Sequence, residues 1–353
     1  MEQPPATHQE SALPFNFTGE GSEYFSIWIV NVALTIVTLG IYSAWAKVRR
    51  MQYLYRNTSL AGSSFDYHGN PIAILKGRLI AFGALVGSQL SLQIAPLVGV
   101  ILLIALAIIF PWLIKRSLQF KLFNSSYRGL RFAFAGATSG AYRVFLWLTV
   151  AASFLGFLWP YTHHQIKKYQ HENSRYGQTP FSFSATPGQY YKIYVVAGLL
   201  GLALLFLVGV FFGAALMQSM GATDGMPRSG YAFVIPIIFL IVVFVIYQTV
   251  IGPFIQARLQ NVVWNHTKLG EHSFLSDVSA RKLFAITFTN FILIVLTLGL
   301  FKPFATIRLL RYRLSTIAFV PHGSLEDFLA GQSQQQSATG EETAEMFDVD
   351  ISF

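Results

Sequence analysis

The stretch Ala46-Lys47-Val48-Arg49-Arg50-Met51-Gln52-Tyr53-Leu54-Tyr55-Arg56-Asn57 follows the charge-free run 24–46 and precedes Gly62 and the pair Phe65 and Tyr67. It belongs to a unit that returns about five times along the chain. Stacked on Asn57, Asn124, Asn173 and Asn265, with Ser315 in the fifth place, the neighbours fall into register. Twelve residues upstream stand Trp45, Trp112 and Tyr161, then Pro253 and Pro303; four upstream stand Tyr53, Phe120 and Tyr169. Downstream come Gly62, Gly129, Gly177 and Gly270, then Phe65/Tyr67, Phe132/Phe134 and Phe181/Phe183, and Phe15/Phe17 with Gly19 opens the first unit. Repetition at this period means one supersecondary element used many times.

Each part of the unit has a physical reading. Alternating cationic and aromatic positions suit an interfacial helix, whose stems snorkel while its rings sit at headgroup depth. An asparagine at its end suits a left-handed cap, so the sequons at Asn16, Asn57, Asn124 and Asn265 read as caps and turns. In Phe-x-Phe-x-Gly the two rings share one face of a short strand and the glycine permits a turn, which reads as a packing wedge rather than a ligand box.

The chain is 53% hydrophobic and 12% charged, where a soluble domain carries about 25% charged residues. Charge-free runs cover 24–46, 79–114, 144–166, 193–223, 229–257 and 283–301, and a bilayer core of about 30 Å needs roughly 20 helical residues. The run 79–114 overshoots one crossing, and Ser88-Gln89-Leu90-Ser91 with Pro96 offers a polar tip in its middle. The expected fold is therefore an all-α polytopic membrane protein of about seven spans (24–45, 76–93, 96–114, 142–161, 193–217, 231–254 and 283–304), built from about five internal repeats with short strand or turn elements between them. An acidic segment 1–23 precedes this domain of 24–322, and an acidic tail 323–353 of disordered composition follows it. No signal peptide is expected, because residues 1–23 hold four Glu, no Lys or Arg, and no apolar core.

All 25 Lys and Arg lie between Lys47 and Arg313, opposed there by Asp66, Glu172, Asp224, Glu271 and Asp277 alone. Short basic loops beside apolar spans are the positive-inside pattern, so anionic lipid rather than nucleic acid is the expected partner. Seven crossings split these charges 17 to 8 between two faces, which puts the C-terminus in the cytoplasm and the N-terminus across the membrane. The rival arrangement keeps every basic loop on one side and makes 24–46, 144–166 and 283–301 re-entrant, broken at Leu39-Gly40, Leu155-Gly156 and Leu298-Gly299. Such backbone is allowed only where protein or water covers it, and seven crossings are preferred.

No Asp or Glu lies in any apolar run, which weighs against a proton-coupled transporter. The candidate polar lining is Asn31, Gln89, Gln93, Gln248 and Asn290; Asn31 and Asn290 each stand nine residues before a Leu-Gly glycine. The candidate headgroup contacts are Lys47, Arg49, Arg50, Arg56, Lys115, Arg116, Arg308, Arg311 and Arg313. Gly83-x-x-x-Gly87 and Gly209-x-x-x-Gly213 suggest close helix contact. His163, His164 and His171 lack metal-site spacing and read as a solvated loop cluster. The absence of cysteine excludes disulfides and thiolate sites. No catalytic, cofactor or metal site is expected, and self-association and a partner for the acidic tail are left open.

The segments Thr38-Leu39-Gly40-Ile41-Tyr42-Ser43-Ala44-Trp45-Ala46-Lys47-Val48-Arg49 and Thr297-Leu298-Gly299-Leu300-Phe301-Lys302-Pro303-Phe304-Ala305-Thr306-Ile307-Arg308, with Phe15-Asn16-Phe17-Thr18-Gly19, resemble the YjgN-like family of bacterial inner-membrane proteins. The resemblance covers about residues 14–325 and departs at Tyr161-Thr162-His163-His164-Gln165. It implies the inner membrane as location and no activity. Two functions follow as expectations: a permeation protein for a small solute, which requires the polar positions to converge on one cavity, or a non-catalytic scaffold that organises anionic lipid through its basic-aromatic helices.

Overall fold

The computed structural model describes residues 12–221 and 231–323. The tail beyond residue 323 and residues 1–11 of the acidic start lie outside the described residues.

Short strands alternate with pairs of helices. Strands β1 (Leu13–Pro14) and β2 (Asn16–Phe17) lead into helices α1 (Gly21–Val37) and α2 (Ser43–Arg56), then β3 (Thr58–Leu60) and β4 (Ser63–Tyr67). Helices α3 (Pro71–Ile94) and α4 (Pro96–Phe123) lead into β5 (Ser125–Tyr127) and β6 (Leu130–Phe134). Next come α5 (Thr138–Tyr142), a π-helical turn, α6 (Thr149–Phe154) and α7 (Trp159–Glu172), followed by β7 (Ser174–Tyr176) and β8 (Thr179–Phe183). Helices α8 (Pro187–Gly221), α9 (Tyr231–Ile246) and α10 (Gly252–Asn265) precede β9 (Thr267–Leu269) and β10 (His272–Ser276), and α11 (Ala280–Leu296) and α12 (Lys302–Ser315) precede β11 (Ile317–Val320).

All eleven strands form one antiparallel sheet in the order β1-β11-β10-β9-β8-β7-β6-β5-β4-β3-β2. Its two end strands are consecutive in the chain: Leu13 and Pro14 pair with Phe319 and Ala318, while Asn16 and Phe17 pair with Ser59 and Thr58. The sheet is thereby drawn into a barrel-like ring closed by residues 13–17, a way of removing the open edges that short strands otherwise expose. Ala61-Gly62 and Arg128-Gly129 make the tight hairpin turns, with φ of 46° and 75°, and 47° and 80°. Positive φ at both central positions matches the twist of the flanking strands.

This arrangement overturns the all-α fold of seven spans. Among the described residues, four helical segments are long and apolar enough to cross a membrane: Pro71–Ile94, Pro96–Phe123, Pro187–Ala214 and Pro236–Asn265. The runs 24–46 and 283–301 reverse instead. Leu39 and Gly40 take φ of 49° and 93°, and Leu298 and Gly299 take 50° and 94°. Thr38 Oγ1 accepts from the Tyr42 amide (2.9 Å) and Thr297 Oγ1 from the Phe301 amide (3.0 Å), which satisfies the turns. Helix α2 then lies back on α1, and β2 and β3 at the two ends of this hairpin are paired neighbours. Both ends of each short hairpin meet the same sheet, so the run cannot pass across a bilayer that leaves the sheet on one side. The 17-to-8 division falls with it, since the hairpins β7–β8 and β9–β10 belong to the same ring as β3–β4 and β5–β6. The β1–β11 pairing also brings the two ends of the described chain together.

Three local expectations are corrected as well. Asn57, Asn124 and Asn173 are not left-handed, having φ of −87°, −87° and −99°. Each Nδ2 donates to the carbonyl four residues back, on Tyr53, Phe120 and Tyr169 (2.9, 2.8 and 2.7 Å), and the chain runs directly into a strand. The glycine of Phe-x-Phe-x-Gly serves close approach rather than a positive φ. A Cβ on Gly19, Gly69 or Gly136 would stand 2.7, 2.5 or 2.6 Å from the ring of Phe17, Tyr67 or Phe134, which folds over it. The last copy inverts the pair: Ser276 replaces the ring, and Val278 fills the place of the glycine. Finally, a Cβ on Gly83, Gly87, Gly209 or Gly213 would meet nothing within 4 Å. The close contact of α3 with α4 is at Gly99, whose Cβ would stand 2.5 Å from the Leu92 amide nitrogen.

The rings line the inside of the sheet. Tyr127, Tyr176, Phe274 and Phe319 are buried together with Leu60, Leu130 and Leu269, and Phe15, Phe65, Phe132, Phe181 and Trp264 close around them. Tyr127 Oη donates to the Leu60 carbonyl (2.7 Å) and Tyr176 Oη to the Tyr127 carbonyl (2.9 Å), tying successive hairpins. The centre of the ring is a filled aromatic core.

Two outcomes follow. Gly99→Ala and Gly69→Ala should each lower stability by about 1–3 kcal/mol through overpacking, read as thermal unfolding in detergent, whereas Gly83→Ala should not. Ser64→Cys and Arg175→Cys, exposed positions that charge counting puts on opposite faces, should react alike with a membrane-impermeant thiol reagent in intact cells. Labelling of one alone is incompatible with a single ring.

Candidate functional site

The short hairpins α1–α2 and α11–α12 hold the two asparagines of the candidate polar lining, and both are buried. Asn290 is fully used. Its Nδ2 donates to the Ala305 carbonyl (3.2 Å), and Arg308 donates to its Oδ1 (2.8 Å). Arg49 stands in the same relation to Asn31 as Arg308 does to Asn290, eighteen residues on, yet the two are not joined. Asn31 Oδ1 is buried without a partner, and Arg49 is exposed with no hydrogen bond or ion pair among the described residues.

Arg49 instead lines a groove of about 300 Å³ with Ile27, Gln52, Tyr53, Arg56 and Asn57. Its walls are held in place from below. Tyr53 Oη accepts from the Glu20 amide (2.8 Å), donates to the Glu20 carbonyl (2.9 Å) and stacks beside Tyr24. The same clamp recurs where Tyr312 Oη accepts from the Ser279 amide (2.9 Å). Arg56 is paired with Asp66 at 2.9 Å. Burial alone would raise the Asp66 pKa, but the hydrogen bonds from Arg56 and the Tyr67 amide outweigh it and hold the carboxyl below its usual range. Arg50, on the next position of α2, is also exposed and unbonded among the described residues.

Four of the other candidate cations are already engaged. Lys115 donates to Thr138 Oγ1 (2.8 Å), Arg116 lies over the Trp112 ring, Arg311 donates to the Gly19 carbonyl (2.8 Å), and Arg313 is bonded to the Gln260 side chain. Lys47 is exposed and unbonded but lies about 200° around α2 from Arg49, on the opposite side. Of the remaining polar candidates, Gln89 and Gln93 are exposed on α3 and Gln248 is exposed in the π-helical turn before α10. They are not brought together with Asn31 and Asn290. A second cavity, of about 120 Å³, is apolar, between Gly201, Leu204, Leu205 and Val208 of α8 and Val243 to Ile251 opposite.

The histidines are not a solvated loop. They lie on α7: His164 is buried with Nε2 on the Ala185 carbonyl (2.8 Å), His163 Nδ1 meets Tyr194 Oη (2.8 Å), and His171 stacks on Phe183. Among the described residues no group of His, Cys, Asp or Glu has the arrangement of a metal site. Sequence reasoning missed the clamp of Tyr53 on Glu20, although the recurrence of an aromatic four residues before the asparagine pointed to it.

The family model described as "Bacterial protein of unknown function (DUF898)" matches residues 12–346. The chain belongs to this family. Among its relatives are proteins called "Inner membrane protein YjgN". That of Escherichia coli O157:H7 is 32% identical over 143 residues, which cover 38% of this chain and 34% of the relative. That of Escherichia coli K12 is 34% identical over 137 residues, covering 38% and 33%, and that of Salmonella typhimurium LT2 is 34% identical over 119 residues, covering 33% and 30%. The matched part thus spans about a third of the length of each relative. No solved structure matches. With relatives named for the inner membrane and four apolar helices of spanning length, this member of the family is a membrane protein.

Burial, and then the neighbouring Lys167 charge, push His163 and His171 down to about 4. Unfolded histidines titrate near 6.5, so between these values the unfolded chain binds protons that the folded protein refuses. Stability present above pH ~6.5 should be lost as pH falls toward ~4, by on the order of 1–3 kcal/mol per histidine. Thermal unfolding between pH 7 and pH 5 checks this, and the double variant His163→Gln, His171→Gln should show a shallower dependence.

Proposed function

We propose that the protein is a non-catalytic, lipid-organising component of the bacterial inner membrane, and that the groove between α1 and α2 receives the phosphate of an anionic phospholipid headgroup. The observation that carries the reading is the contrast between two equivalent arginines: Arg308 is spent on Asn290, whereas Arg49, unbonded among the described residues, lines a groove beside Arg56 and Gln52. Arginine donors in a fork suit phosphate oxygens. The hydrocarbon side of such a ligand also has a place, because Val30, Ile36 and Val37 of α1 and Leu39 at the turn are exposed. An amphipathic basic-aromatic helix lying against an apolar hairpin is the arrangement that membrane-surface attraction favours. The permeation alternative receives less support, since Gln89, Gln93 and Gln248 are on outer helix surfaces and the buried asparagines are on separate hairpins.

Each cation near an anionic surface contributes about 1 kcal/mol, so Arg49→Gln with Arg50→Gln should weaken headgroup retention by about 2 kcal/mol, roughly thirtyfold. Native mass spectrometry of anionic phospholipid retained after detergent washing is the measurement. Arg308→Gln should instead lower stability and leave retention unchanged. Equal retention in wild type and the double variant would refute the groove as a headgroup site.

A further inference from the structure

The helical hairpins leave the ring at one level and rise to different heights. In each, the outgoing helix begins four residues after the last residue of a strand: Gly21 after Phe17, Pro71 after Tyr67, Thr138 after Phe134, Pro187 after Phe183 and Ala280 after Ser276. Those strand ends pair in turn with Thr58, Ser125, Ser174, Thr267 and Ile317, each the first residue of the strand to which its hairpin returns. The outgoing arms α1, 138–154 and α11 are each 17 residues long, whereas α3 has 24 and α8 has 35. At 1.5 Å per residue these are arms of about 26, 36 and 52 Å.

The cations mark where the headgroups lie. Lys47 on a short hairpin and Lys115 on a long one stand ten and nine residues before the asparagines that end their helices, about 14–15 Å above the ring. Beyond Lys115, α4 has the charge-free stretch from Pro96 to Ile114, about 28 Å long, which matches a bilayer core of about 30 Å. The short arms rise only about 11 Å past the same level. They therefore end inside the half of the core nearer the ring. Lys302, closer to a tip, is exposed, and its stem lets the ammonium return to headgroup depth.

The tips are built for hydrocarbon. Leu39, Leu298 and Phe154 are 94%, 95% and 84% exposed. Every backbone N–H from Thr38 to Ser43 nevertheless has a partner within the hairpin: Leu39 donates to the Ile36 carbonyl (3.0 Å), Gly40 to that of Thr35 (2.7 Å) and Tyr42 to Thr38 Oγ1 (2.9 Å). The amides from Thr297 to Lys302 repeat the pattern, with Gly299 on the Ile294 carbonyl (2.7 Å) and Phe301 on Thr297 Oγ1 (3.0 Å). The two threonine hydroxyls donate to the Leu34 and Leu293 carbonyls (2.7 and 2.6 Å). A turn in water has no need of such closure, but hydrocarbon supplies no partner for an open amide.

We propose that the three short hairpins enter only the ring-side leaflet, where its acyl chains cover their tips, and that the protein is thereby a wedge that favours membrane curved with that leaflet convex. Among the described residues, five hairpins displace lipid on the ring side and two on the far side. A helix about 10 Å across occupies about 80 Å², so the six additional helices add roughly 500 Å² to one leaflet. A bilayer relieves such an imbalance by bending, and apolar insertion to this depth is sensitive to curvature.

Full-length protein carrying Ser64→Cys, the only thiol in the chain, is reconstituted into giant vesicles of phosphatidylethanolamine and phosphatidylglycerol. An impermeant fluorescent thiol reagent then marks the copies whose ring lies outside, and thin tubes are pulled from the vesicles. Labelled protein should be severalfold denser in the tube than in the flat membrane. Leu39→Asp, Phe154→Asp and Leu298→Asp together should abolish the enrichment while the long hairpins keep the protein inserted; the left-handed backbone at 39 and 298 accepts aspartate. Arg49→Gln with Arg50→Gln should leave the enrichment intact, which separates the wedge from the headgroup groove. Depth is read independently by nitroxides on Leu39→Cys and Leu298→Cys, expected about 11 Å inside the ring-side headgroups. Equal density of the wild type in tube and flat membrane, undiminished enrichment of the aspartate variant, or a nitroxide reporting water at either tip overturns the proposal.

Discussion

Strands of two to five residues cannot persist singly, because each leaves a row of backbone donors and acceptors without partners. Here every hairpin satisfies the edge of the next, and the last edges are closed by residues 13–17, whose first half pairs with β11 and whose second half pairs with β3. The rest of the architecture depends on that closure. A helix pair that starts from one strand and returns to its neighbour must come back to the level at which it left. Short apolar runs then turn at Leu39-Gly40 and Leu298-Gly299, and longer ones form hairpins of helices long and apolar enough to span. The ring therefore acts as a collar from which long and short helical hairpins project.

Closure also explains the aromatic residues. A ring of short strands encloses a volume that small side chains would leave empty, and cavities in a core are costly. Phe15, Phe65, Tyr127, Phe132, Tyr176, Phe181, Phe274 and Phe319 fill it from successive strands. The second aromatic of each pair packs the other way, into the helices: Tyr67 beside Tyr55, Phe134 against Tyr169, Phe183 on His171. The bulk of Phe17, Tyr67 and Phe134 leaves no space for a Cβ two residues on, which is why glycine follows those three rings, whereas Ala185 follows Phe183 and Val278 follows Ser276.

Charges on these helices are sorted by direction. On α2, Arg49 lines the groove with α1, and Lys47 lies about 200° around the helix from it. Other cations are bound into the scaffold: Arg308 on Asn290, Arg311 on Gly19, Arg313 on Gln260. A basic composition that looks uniform along the chain becomes distinct populations once folded, some bound into the structure and some exposed.

The sequence by itself determined the membrane character of the chain, the unit of basic helix, glycine turn and aromatic pair, and the candidate cations, because composition and spacing are local properties. Even the breaks at Leu39-Gly40 and Leu298-Gly299 were legible. Their consequence was not, since a charge-free run of spanning length has the same composition whether it crosses or turns back. Only the tertiary structure decided that, through the pairing of β1 with β11 and β2 with β3, contacts between residues some 300 and 40 positions apart. It likewise decided that the Gly83 and Gly87 spacing carries no close contact while Gly99 does, and that Arg49 is unbonded among the described residues where Arg308 is not. These are distances across a closed ring, and no local pattern of residue types encodes which side of each helix the closure turns inward.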